Sequence, residues 1–361
     1  MSPIIHNSVR QPFDPSTLRA EVRNATVGTL VDMLKKGLID LNPEFQRSAN
    51  LWNDKKKSQL VESILLGLPL PSFYFFVDEV RKKWVVIDGL QRLCSLQSFM
   101  VDKTLCLQGL DFLDEGKYGK PFDQFDYFDQ LSISMHPVTL NVLTGNTSAA
   151  ARYIIFQRVN SKGTQLNATE MRNALYQGRA TKLIDEMVKD ATFQTLVSSH
   201  VTTKRMKDKE FASRFLLFFL NGHQDYDGNM DVSIGNTMDF INKCMSDEDA
   251  RAVLLSFSKA LVSCLYLLGE EAFRKPVEKQ GKRKNQISLT VFEMLTVSLA
   301  RLSDDSRSKL EERKESFSMA YTEMYTDNTL QRFLSTGTGK AAATAYRFRK
   351  IEEVVRKTLD S

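Results

Sequence analysis

Apolar positions follow two different periods along the chain, and the change between them divides it. Val27, Leu30, Val31 and Leu34 recur at the helical period between Thr26, a good N-cap, and Gly37, a good terminator, so a helix is expected there. A short strand is expected around Leu38–Leu41. Leu60, Val61, Ile64 and Leu65 form the buried stripe of a second helix, with Asn53 as its cap and Gly67 at its end. Pro69 and Pro71 then force extended chain. Phe73–Val77 and Trp84–Ile87 are rich in aromatic and β-branched residues and read as a hairpin joined through the charged segment Asp78–Lys83. The second strand runs straight into Asp88-Gly89, beyond which Leu93, Leu96, Gln97 and Met100 predict a helix. Residues 136–143 alternate like a strand, 148–158 read as a helix ending in the loop Asn160–Gly163, and Asn167-Ala-Thr-Glu170 is a capping box that starts another helix.

Beyond about residue 178 strand signals nearly vanish. Amphipathic helices are expected near 180–190, 207–220, 234–245, 247–268, 288–302, 306–325 and 340–359. The predicted class is therefore α+β, a small mixed sheet with helices followed by an all-helical domain. Its parts are an arm at 1–25, a domain at 26–178 and a helical domain at 179–361.

Composition narrows the class further. At 361 residues, 42% hydrophobic and 26% charged, the chain has material for two cores and is not a disordered one. No apolar run is expected to span a bilayer, and the start MSPIIHNSVRQPF lacks the basic-then-apolar order of a signal peptide, so a cytoplasmic protein is expected. The four cysteines, Cys94, Cys106, Cys244 and Cys264, are scattered among apolar neighbours and read as free buried thiols. Four histidines without HxH or HxxxH spacing leave little for a His/Cys metal site. A net charge of +5 and a pI near 8.8 favour a polyanionic partner without requiring one.

Three segments carry groups suited to chemistry. In Val86–Leu93 (VIDGLQRL) a helix opening after a glycine offers unpaired N–H groups and the positive end of its dipole, which suit a phosphate. Arg92 adds a bidentate donor, Asp88 could hold a divalent cation or orient water, and Gln91 could bond a phosphate or the attacking water. The same residues also suit a plain strand-turn-helix in which Asp88 caps the helix and Arg92 meets a surface carboxylate; on spacing alone this plainer reading stands first. In Leu41–Trp52 (LNPEFQRSANLW) Pro43 holds extended chain, placing Gln46 and Arg47 on a loop before a helix that Trp52 anchors, or else leaving an ordinary surface arginine. In Phe156–Leu166 (FQRVNSKGTQL) Asn160 and Gly163 favour a tight turn, with Arg158 and Lys162 beside exposed N–H groups. This could close over a nucleotide or simply connect two helices. The basic stretch Arg274–Lys284 could touch nucleic-acid phosphates or be a solvated loop.

The order and spacing of these segments together resemble a known family. Pro-x-x-Gln-Arg followed by Trp, a helix ending in GLPLP, a strand with IDG-x-QR, and F-x-RVNSKG-x-QLNATEMRNALYQG are similar to the N-terminal domain of GmrSD-type modification-dependent restriction endonucleases. The resemblance covers about 26–220, including TTKRMKDKEFASRFLLFFL. It implies a ParB/sulfiredoxin-like fold and an NTP site carried by Asp88, Gly89, Gln91 and Arg92 as catalytic or phosphate-binding residues. Gln46, Arg47, Arg158, Asn160, Lys162 and Gly163 would be further phosphate ligands, with Mg2+ at Asp88. The family's first Gln in DGQQR is Leu90 here, which puts hydrolysis in question more than binding. A standalone form without the HNH nuclease domain is expected, since the later histidines, His200 and His223, lie in no matching motif.

The leading expectation is thus an NTP-binding and NTP-hydrolysing sensor or regulator in bacterial or phage defence. The rivals are a DNA-binding module without turnover and a ParB-like metal-dependent nuclease. Sequence leaves the nucleotide, the activating signal and the oligomeric state open.

Overall fold

The computed structural model describes residues 19–41, 52–78, 82–113, 115–117, 119–144, 154–155, 158–159, 167–201, 204–275 and 287–361. The chain divides into two units between Leu175 and Tyr176.

The first unit is built on a five-stranded mixed sheet. Its strands are β1 (Arg19–Thr26), β2 (Ile39–Asp40), β3 (Phe73–Asp78), β4 (Lys83–Asp88) and β5 (Pro137–Thr144), in spatial order β1-β5-β3-β4-β2. β3 and β4 form the expected antiparallel hairpin, while β5 runs parallel to β3 and antiparallel to β1. The segment expected to be an arm supplies β1 from residue 19. Its sequence RAEVRNAT lacks an apolar face, and Val22 is exposed, as suits an edge strand.

Helices α1 (Val27–Lys35) and α2 (Asp54–Leu65) start where expected, capped by Thr26 Oγ1 and Asn53 Oδ1. α3 (Leu90–Leu96) continues as a π-helical turn, Gln97–Val101. α4 (Tyr127–Met135), capped by Asp126, was not evident from the sequence because Tyr127, Phe128, Leu131 and Met135 are exposed and only Ile133 is buried. The core joins Val27, Leu30, Val61, Ile64, Phe73, Phe75, Leu93, Leu96, Phe99 and Val142. Asn167 and Glu170 form the expected reciprocal cap at the start of α5 (Ala168–Leu175), with bonds of 2.9 and 2.8 Å.

The second unit is helical: α6 (Arg179–Val188), α7 (Lys207–Asn221), α8 (Met230–Cys244), α9 (Asp247–Leu268), α10 (Leu289–Ala300), α11 (Asp304–Glu312), α12 (Lys314–Met324), α13 (Asn328–Ser335) and α14 (Ala341–Asp360). Glu293 of α10 and Arg347 of α14 are fully buried and joined at 2.6 Å, and Arg214 of α7 reaches the other Glu293 oxygen at 3.1 Å. Burial opposes the charge on Arg214, but Glu293 and Glu210 together raise its pKa above the usual arginine value.

Two sequence expectations need correction. The segment Asp247–Glu271 is long and apolar enough to cross a bilayer by length and composition. Here its stripe Val253, Phe257, Ala260, Leu261, Cys264 and Leu267 is buried within the helical unit. The four cysteines are free, but only Cys264 is fully buried, and Cys106 and Cys244 are exposed. Cys106 points outward between buried Leu105 and Leu107, and Cys244 is the last residue of α8.

Candidate functional site

The chemistry-bearing residues meet where β4 ends and α3 begins. β4 delivers Asp88 at its last position, and Gly89 turns the chain at φ 101°, a left-handed value that favours glycine. A Cβ on Gly89 would also stand 2.4 Å from the Phe73 ring, so the position excludes side chains twice over. With glycine at the cap position, α3 has no capping side chain of its own, and its first internal bond is Leu93 N–H to Gly89 O at 2.9 Å. The amides of Leu90, Gln91 and Arg92 precede that bond, in the first turn of the helix.

Arg92 is almost wholly buried. Its guanidinium donates to Pro71 O, to Ser72 O at 3.2 Å and to Asp88 Oδ2 at 3.0 Å, and lies 4.3 Å from the centre of the Phe73 ring. Burial, the largest influence, lowers its pKa, and the Asp88 carboxylate opposes that. The direct consequence is positional: Arg92 ties the Asp88 carboxylate to the strand that brings in Pro71 and Ser72. Asp88 remains one-third exposed.

Gln91 accepts a bond from Trp52 N–H at 3.4 Å, which joins the end of the Leu41–Trp52 segment to the junction. Two of the three sequence segments therefore converge at α3. Gln46 and Arg47 lie outside the described residues, as do Asn160, Lys162 and Gly163. Arg158 is exposed in a helical turn. Leu90, the departure from the DGQQR pattern, is half-buried and packs against the core of the first unit. In the basic stretch 274–284, residues 276–284 lie outside the described residues; Arg274 pairs with Glu271 at 2.8 Å.

Lys57 was not singled out by sequence. It sits in the run Lys55–Lys57, which reads as a solvated helix start, yet it is 8% exposed. Its ammonium meets Asp54 at 3.3 Å. Across from it, Cys94 lies one turn beyond Gln91, and burial pushes its thiol up to about 11 against the opposing charge of Lys57. Burial thus disfavours the reactive thiolate form of Cys94.

Among the described residues no group of three or more His, Cys, Asp or Glu side chains is arranged to hold a metal. A Mg2+ ion needs only one or two protein carboxylates when phosphate oxygens and water complete its shell. Asp88, with one oxygen bonded to Arg92, fits that minimal role.

Residues 27–177 match the family model described as the GmrSD restriction endonuclease, N-terminal domain. Comparison with curated proteins and with solved structures gave no match.

Proposed function

We propose, from the premise that residues 27–177 are a domain of the GmrSD N-terminal family, that this protein binds a nucleoside triphosphate at the Asp88–Arg92 junction and hydrolyses it. The observation that carries this reading is the start of α3 behind Gly89, which has no capping side chain of its own, with a carboxylate fixed at the strand end before it and an amide side chain in its first turn. Phosphate oxygens would accept from the amides of residues 90–92, where the helix dipole adds favourable charge. Asp88 would hold Mg2+ carried by the triphosphate, or orient the attacking water, and Arg92 would keep its carboxylate in place. Gln91 would bond the terminal phosphate or that water. Attack of water on the terminal phosphorus breaks its bond to the bridging oxygen, which leaves on the nucleoside diphosphate, and gives phosphate with release of the water's proton to solvent.

Family membership supports a restriction-related setting, and within it we assign a cytoplasmic sensor or regulatory role in bacterial or phage defence. Phosphate release from the purified full chain with Mg2+ and each nucleoside triphosphate tests the reading against Asp88→Asn. The expected outcome is turnover by the wild type and a loss of at least about tenfold in the variant. Salt-dependent DNA binding without turnover would support a DNA-binding module instead, and metal-dependent nicking that Asp88→Asn abolishes would support a nuclease.

A further inference from the structure

The start of α2 concentrates positive charge where helix energetics disfavours it. Lys55, Lys56 and Lys57 all lie in or next to the first turn, beside the positive end of the helix dipole, and Asp54 is the only acid in that turn. The fold nevertheless holds these side chains in place. Lys55 lies across Gly109, Lys56 sits 5.1 Å over the Trp52 ring, and Lys57 is buried.

Lys57 is the unusual member of the three. Among the described residues its polar partner is Asp54, at 3.3 Å, and the Asp54 side chain is 55% exposed. A lysine side chain packed in this way, with one solvated partner, is a weak source of stability. Helical side chains lean toward the N-terminus of their helix, and the contact with Asp54, three residues earlier, shows Lys57 doing so. That is the end of α2 where Trp52 N–H meets Gln91. Arg92, in turn, spends its donors on Pro71, Ser72 and Asp88.

Resting on the reading that the junction takes a nucleoside triphosphate, we propose that Lys57 is the cation that meets its phosphate tail and makes the site select polyphosphate over monophosphate. The helix start supplies neutral N–H donors, and Lys57 supplies the full charge. Lys57 thus resembles in role a residue kept for binding at a cost in stability.

The test uses the full chain as wild type, Lys57→Met and Lys57→Arg, titrated with Mg2+ and ATP, GTP, CTP or UTP and with the matching monophosphates. Melting without nucleotide is recorded in parallel. Lys57→Met should weaken triphosphate binding about 10–100-fold and change monophosphate binding much less, and Lys57→Arg should recover most of the loss. The melting temperature of unliganded Lys57→Met should be unchanged or higher. Equal triphosphate affinity in wild type and Lys57→Met would overturn the role of Lys57 alone. So would an equal loss for monophosphate and triphosphate, or a fall in melting temperature with no selective loss. Absence of triphosphate binding by the wild type would overturn the parent reading, and this one with it.

Discussion

At the level of single residues, the sequence made Asp88–Arg92 conspicuous but did not show what Arg92 bonds. Its partners, Pro71 O and Ser72 O, come from the segment just before β3, and backbone carbonyls leave no trace in a motif. Arg92→Ala should therefore lower stability by about 2–3 kcal/mol, because it strands buried acceptors and releases Asp88. Chemical denaturation measures that cost, and a variant as stable as wild type would show Arg92 to be free of a structural role. Gly89→Ala should cost at least as much, since it combines a left-handed φ with a clash against Phe73. Leu90 was legible as a departure from the family pattern, while its packing against the core was not. Leu90→Gln should lower stability by about 1–2 kcal/mol and leave nucleotide affinity within about threefold. A melt unchanged from wild type would mean that the side chain contributes nothing to the core.

At the level of elements, strong apolar stripes and good caps were readable, and polar or weakly buried elements were not. α1, α2, the β3–β4 hairpin, β5 and the start of α5 followed from period and cap. β1 was missed because its residues are polar at a sheet edge, and α4 because its apolar residues face solvent. The single helix expected over 306–325 is two. Arg313 leaves helical geometry between α11 and α12, and its guanidinium bonds Thr358 O at 3.0 Å and Leu359 O at 2.5 Å, closing the end of α14. Burial of Glu62 on α2 favours its neutral form, but the N–H groups of Phe112, Asp111 and Leu113 outweigh that and hold its pKa below the usual value. Glu62→Ala should destabilise the first unit by about 2–3 kcal/mol and speed amide exchange at 111–113. Unchanged exchange there would show the loop to be held by other contacts. In the helical unit, Glu293→Ala leaves Arg214 and Arg347 buried without their shared carboxylate and should cost about 3–5 kcal/mol. Circular dichroism during denaturation reads the loss, and a difference below about 1 kcal/mol would contradict it.

At the level of the whole molecule, the change from mixed sheet to helices was visible in composition and period, whereas the pH response depends on burial and on charges that the fold brings together. Burial, with Arg301 adding to it, pulls His223 down to about 4, below an unfolded value near 6.5. The unfolded chain then binds more protons, so this contribution is fully present above 6.5 and is lost as pH falls to 4. Glu352, 3.8 Å from His223 and raised by burial, acts in the opposite sense. His223→Phe, which keeps an aromatic ring on Phe348, should make denaturation of the full chain less sensitive to pH over that window, by about 3 kcal/mol at most. An identical pH profile would show that His223 does not govern it.

On the proposed reading, nucleotide phosphate rests on the start of α3 behind Gly89. Amide hydrogen exchange of the full chain, with and without Mg2+ and the nucleoside triphosphate it binds, tests this most directly, because the amides of Leu90, Gln91 and Arg92 would gain phosphate acceptors. Slower exchange is expected at these three positions, with that protection lost in Asp88→Asn. Saturating nucleotide that leaves residues 90–92 exchanging at the unliganded rate would contradict it.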